Sequence, residues 1–162
     1  MSFSLSTSPH TMRRIYKTIR PMLGASVRRV SYEAEVEPYK ILQEHPRLIH
    51  VLNHGPMLGI WPAVAYLSKK IVDAGGGDRV PFAQFHRALF NVPVLNLLVR
   101  RTLNSGRAYS FEEILERFQS GYFNDFFILP EGDNCNFGDL RYVRPFRSHR
   151  YVELAIRLQT PI

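Results

Sequence analysis

The sequence predicts one α/β domain, built on a mixed, largely parallel central sheet flanked by helices, and three observations lead there. Short β-branched or aromatic runs at residues 47–52 (RLIHVL), 80–85 (VPFAQF) and 124–129 (NDFFIL) read as buried strands. Longer segments with apolar residues at helical spacing lie between them, the alternation that builds a parallel sheet. The chain has 162 residues, 45% apolar and 12% aromatic, enough to bury one core and too few to divide into two.

The N-terminal element is a helix. Ser8 reads as its N-cap and Pro9 as its first helical position, and Met12, Ile15, Tyr16, Ile19 and Leu23 recur at spacings of three or four. Residues 1–32 carry Arg13, Arg14, Lys17, Arg20, Arg28 and Arg29 and no acid, so residues 1–29 form a basic amphipathic segment ahead of an α/β domain over 30–162. Two readings of this helix stand side by side. Its apolar face lies in a bilayer interface with the arginines on anionic headgroups, or that face covers the core and the basic face is solvated. Pro21 is expected to kink or end it.

Residues 30–36 alternate apolar and polar up to Pro38, which predicts a first strand, and residues 38–44 predict one or two helical turns. His45-Pro46 breaks these before the strand at 47–52. A helix is predicted over 56–70, a loop at AGGGD (74–78), the strand at 80–85, and a helix over 86–101 interrupted by Pro93. Ser110 and Glu113 have capping-box spacing and open a helix to Gln119 that Gly121 stops. The strand at 124–129 and a last helix over 148–158 follow. The closing residues 160–162 read as the start of another buried strand, so the domain is expected to be incomplete at its C-terminus.

Charge narrows the partners. A net +7 predicts attraction to a membrane surface, a nucleic acid or a phosphorylated substrate. No nucleic-acid motif is present, and none is expected as a partner. The single cysteine, Cys135, excludes an intramolecular disulfide, and no Cys/His set has zinc spacing, so no metal site is expected. The apolar stretches at 59–67 and 92–99 fall well short of the roughly 20 residues of a spanning helix, and the N-terminus lacks a secretory apolar region.

Two segments at strand ends carry the chemistry. Asn53-His54-Gly55-Pro56 sets a histidine in a turn, and histidine is the side chain suited to take and return a proton near neutrality. Taken alone, any one of the six histidines is more often structural. Pro130-Glu131-Gly132 ends another strand, with Arg141, Arg144, Arg147 and Arg150 behind it. A carboxylate there can orient a polyol, and the arginines can clamp a phosphate. Taken alone, this segment is a turn before a solvated basic face.

Together and in this order, VLNHGPMLG, FILPEG and the closing RPFRSHRYVELAIRLQTPI resemble the glycerolipid acyltransferases, the lysophosphatidic acid and glycerol-3-phosphate acyltransferases with N-H-x-x-x-x-D and F-P-E-G blocks. The resemblance runs from about Val30 to Ile162. It implies a glycerol-3-phosphate acyltransferase-like sheet and peripheral attachment to the cytoplasmic face of a membrane. The implied reaction moves a fatty acyl group from acyl-CoA or acyl-carrier protein to a hydroxyl of a glycerol phosphate or lysophospholipid, with no further cofactor. His54 is the implied general base. Asn53, Pro130, Glu131, Gly132 and Arg144 line the acceptor side, and Arg107 stands for the family's middle-block arginine. The chain departs from the pattern at Gly59, where the family has the aspartate that orients the imidazole, and at Asp133-Asn134-Cys135, where many relatives have Thr-Arg-Ser. The alternative these departures leave open is a non-catalytic or truncated lipid-binding remnant.

Overall fold

The computed structural model of the protein describes residues 9–26, 35–52, 60–84, 90–131, 145–146 and 148–162. Three short strands, β1 (Leu48–Val51), β2 (Pro81–Ala83) and β3 (Asp125–Ile128), form a sheet in the order β1-β3-β2. Both pairings are parallel. Leu48 stands opposite Asp125 and Val51 opposite Ile128, while Pro81 stands opposite Asp125 on the other side. The expected mixed sheet is thus, among the described residues, purely parallel. Helices α1 (Met12–Ser26), α2 (Pro38–Glu44), α3 (Ile60–Asp73), α4 (Pro93–Leu103), α5 (Phe111–Gln119) and α6 (Arg150–Leu158) complete the described elements.

Strand alternation sorts the core into two layers, because successive side chains point to opposite faces of the sheet. Ala83 and Phe127 face a core shared with Met12, Ile15 and Ile19 of α1, Trp61 and Val64 of α3, and Val99 and Leu103 of α4. Ile49, Phe82 and Phe126 face the other core, with Ile114 and Phe118 of α5 and Tyr151, Leu154 and Leu158 of α6. Phe82 has no exposed surface and stacks on Phe123 and Phe126, with ring centroids 4.6 and 5.7 Å away.

Helix α1 settles one of the two readings of its apolar stripe. Met12, Ile15 and Ile19 are at most 1% exposed, packed into the protein, while Arg13, Arg14, Lys17 and Arg20 stay in solvent. The helix begins at Met12 rather than Pro9, because loop carbonyls supply the cap: Met12 N–H donates to Arg79 O and Arg13 N–H to Gly77 O, both at 2.8 Å. Pro21 does not end it, and α1 continues to Ser26. Pro21 and Lys17 are both exposed, so water can bond the Lys17 carbonyl that a proline leaves without a donor.

Other boundaries move for similar reasons. Of the helix expected over 86–101, residues 86–89 lie outside the described residues; α4 starts at Pro93 after the extended Val92 (φ −97°, ψ 109°), which suits a proline at the first helical position, and runs on to Leu103. Of the strand expected at 30–36, residues 30–34 lie outside the described residues, and Glu35 and Val36 form an exposed bend. The expected start of α3 at Pro56 also lies outside them, and its end moves on to Asp73. Helix α2 keeps the expected bounds, and β1, β2 and β3 each form inside their expected runs.

The capping box of α5 forms in both directions. Ser110 Oγ accepts from Glu113 N–H at 3.3 Å, and a Glu113 carboxylate oxygen accepts from Ser110 N–H at 2.8 Å. Glu113 is held down to about 2, first by its hydrogen bond with Arg107 and then by the Ser110 N–H. Gly121 follows at φ +74°, the left-handed turn that a glycine after a helix supplies.

Two substitutions measure these layers. Ser110→Ala should cost about 1 kcal/mol, read as a lower urea midpoint at unchanged slope. Phe82→Ala should cost about 3–5 kcal/mol, because the stacked rings around it cannot close over the space.

Candidate functional site

At the carboxyl edge of the sheet, β1 and β3 end just ahead of the two predicted site segments in the sequence. Val51 pairs with Ile128, and Leu52 N–H extends the ladder by donating to Ile128 O at 3.0 Å. In the sequence His54 follows Val51 by three residues, and Glu131 follows Ile128 by three. Adjacent parallel strands therefore lead into the two motif segments from one level of one edge. In an open α/β sheet this is the edge where ligands bind. Pro130 and Glu131 are both buried there, with Glu131 only 3% exposed. Asn53, His54, Gly132 and Arg144 lie outside the described residues, as do Gly59, Asp133 and Cys135.

Strand β2 leaves the same edge at Gln84, whose amide brackets one backbone unit. Gln84 Nε2 donates to Tyr109 O at 3.2 Å, and Tyr109 N–H donates to the Gln84 side-chain oxygen at 3.4 Å. This clasp sets the segment from Arg107 to Ser110 beside the edge. The Arg107 side chain is exposed, ion-paired with Glu113 and stacked over the Tyr109 ring at 4.3 Å. Its guanidinium is thus engaged by protein groups at the surface. A phosphate reaching Arg107 has to displace, or share it with, the Glu113 carboxylate.

The opposite, amino edge carries a cluster that the sequence reading did not single out. Asp125, the first residue of β3, is completely buried. His50 Nε2 lies 2.7 Å from Asp125 Oδ1, and the Arg79 guanidinium donates from Nε to Oδ2 at 2.6 Å and from Nη2 to Oδ1 at 3.1 Å. Arg79 also donates to His45 O at 3.1 Å, and the His50 ring stacks on Phe127 at 4.5 Å. Burial, the largest influence, acts to raise the Asp125 pKa. The bonds and charges of His50 and Arg79 together outweigh it, and the carboxyl ends below its ordinary value. With both oxygens occupied by protein donors, this is a strand-tying cluster rather than a ligand site. Its signal was a histidine and an aspartate set within apolar strand runs, since a charge buried there needs a partner.

Among the described residues no group of three or more His, Cys, Asp or Glu is placed to hold a metal ion. No described helix is long and apolar enough to cross a membrane.

Removing one partner from the amino-edge cluster leaves a buried charge uncompensated. Arg79→Met should therefore destabilise the fold by about 3–5 kcal/mol in urea unfolding. Because the folded pKa of Asp125 is depressed, its contribution is complete above its unfolded pKa of about 3.9 and is lost as pH falls through the lower folded value. Wild-type stability should accordingly drop below about pH 4, and Asp125→Asn should be less stable at neutral pH and lack that part of the acid-dependent loss. No family model, curated protein or solved structure matches the chain, so its function has to be argued from residues and geometry.

Proposed function

We propose that the protein is a peripheral membrane acyltransferase, moving a fatty acyl group from acyl-CoA or acyl-carrier protein to a hydroxyl of a glycerol phosphate or lysophospholipid. The observation that carries this reading is the register of β1 and β3, which sends the Asn53-His54 and Pro130-Glu131 segments off adjacent parallel strands at equal offsets. A base and an acceptor-holding carboxylate working on one hydroxyl need that proximity. In the proposed reaction His54 removes the hydroxyl proton as the oxygen attacks the thioester carbonyl. The C–O bond forms, the C–S bond breaks, and the thiolate leaves with the proton from the imidazolium. Glu131 holds the acceptor together with Asn53 and Gly132, and the acceptor's phosphate is taken by Arg144 and by Arg107, which it shares with Glu113. Gly59 supplies no carboxylate to orient the imidazole, which predicts a slow enzyme, because loss of a triad-type aspartate costs on the order of 10⁴ in rate.

Thiol release from acyl-CoAs in the presence of lysophosphatidate or glycerol 3-phosphate tests the reading. Release should depend on the acceptor and fall on the order of 10² to 10⁴-fold in a folded His54→Ala variant. No acceptor-dependent release from the folded wild-type chain with either donor class would replace it with the lipid-binding remnant.

A further inference from the structure

We propose that the outer surface of α1 and α4 docks on an anionic lipid bilayer, with the amino-terminal turns of α4 entering the interface. The proposal goes beyond the acyl-transfer reading by naming the surface, and it rests on the membrane attachment in that reading rather than on its chemistry.

The first observation is an apolar end on α4. Val94 is 76% exposed, Leu97 50% and the preceding Val92 43%. Val94, Leu97 and Arg101 follow one another at spacings of three and four, so they form one stripe along the solvent face, while Val99, Thr102 and Leu103 face the core. The stripe changes from apolar to basic along its length.

The second observation is charge. The sequences of α1 and α4 contain Arg13, Arg14, Lys17, Arg20, Arg100 and Arg101 and no acid, which is six of the seven surplus positive charges. Among the described residues, Arg14, Lys17, Arg20 and Arg101 have no ion-pair partner. The two helices are also joined at their basic ends. His10, just before α1, exchanges hydrogen bonds with Asn104, the C-cap of α4: His10 N–H donates to Asn104 Oδ1 at 2.7 Å, and Asn104 Nδ2 donates to His10 O at 2.8 Å. Arg14 and Arg101 flank that junction from the two helices, and their charges, after burial, help lower the His10 pKa.

The third observation is orientation. Asn104 Nδ2 also donates to Pro81 O at 2.7 Å, which fixes the end of α4 at the amino end of β2. The basic end of α4 is therefore held at the amino edge of the sheet, and its apolar start lies a helix length away from that edge. A bilayer presents an anionic plane for the arginines and an apolar layer for Val94 and Leu97. A nucleic acid would match the charge and leave the apolar residues without use.

Co-sedimentation of the full chain with vesicles, in the absence of acyl donor and acceptor, tests this surface. Vesicles of phosphatidylcholine alone are compared with vesicles containing an equal part of phosphatidylglycerol. Wild type should partition about tenfold or more better onto the anionic vesicles and be released by added salt. The double variant Val94→Ser/Leu97→Ser should lose about fivefold or more of that partition, and Arg14→Gln/Arg101→Gln should bind less and respond less to salt. Val152→Ser/Ile156→Ser, which alters exposed apolar residues of α6, should bind as wild type. All six positions are at the surface, and circular dichroism checks that each variant is folded. Equal binding to both vesicle types, wild-type binding by the α4 variant, an equal loss in the α6 variant, or equally tight binding to a DNA duplex would each overturn the proposal. Acyl transfer assayed in detergent with soluble acceptor reports separately on the chemistry.

Discussion

The carboxylate of Asp125 has no contact with water and both its oxygens are taken by protein donors, so the amino end of the sheet is arranged around one negative charge. Each of the three strands reaches it. Asp125 begins the central β3, His50 lies within β1, and Arg79 precedes β2 by two residues. Arg79 also accepts the first N–H of α1 on its carbonyl and donates to the carbonyl of His45 ahead of β1. A buried ion cluster of this kind adds little stability over apolar packing, and its strength lies in register, because a slip of one residue would turn His50 or Asp125 to the other face. Register at this edge carries through to the other: with Leu48 fixed opposite Asp125, Val51 falls opposite Ile128, and in the sequence Asn53 and Pro130 each follow one of that pair by two residues.

The two cores on either side of the sheet serve that arrangement differently. The face with Ile49, Phe82 and Phe126 is an aromatic layer closed by α5 and α6, and the capping box at Ser110 sets where α5 starts. That start is also where Gln84 clasps the backbone of Tyr109, so the cap of α5 and the end of β2 are positioned as one unit. The other face is covered by α1, α3 and α4, whose inner sides are apolar and whose outer sides supply most of the surplus charge. The apolar stripe that holds α1 in place is buried in this core, so it cannot also lie in a bilayer, and the proposed membrane surface uses the basic face of α1 and the apolar start of α4 instead.

Much of this was legible in the sequence because the signals were local. The runs RLIHVL and NDFFIL gave strands, and S-x-x-E before an amphipathic stretch gave α5 with both of its reciprocal bonds. The sequence marks its prolines without saying what each does: Pro93 starts a helix after an extended valine, and Pro21, rather than ending α1, sits on an exposed helical turn where water tolerates the missing bond. The cluster of His50, Arg79 and Asp125 was not legible by spacing, since its members come from three separate strands or approaches and no motif joins them. The clue lay in parity: His50 and Asp125 fall on the same face of neighbouring strands only once the register is known. The order of the strands, with β3 between β1 and β2, was not legible, because no local signal encodes which strands pair.

The central claim is that strand register brings His54 and Glu131 to one site, and the direct measurement is the separation of the His54 imidazole and the Glu131 carboxylate in an experimental structure with a glycerol phosphate bound. The account predicts a separation within about 12 Å, close enough for one acceptor to touch both. A larger separation, with the register of β1 and β3 intact, would contradict it.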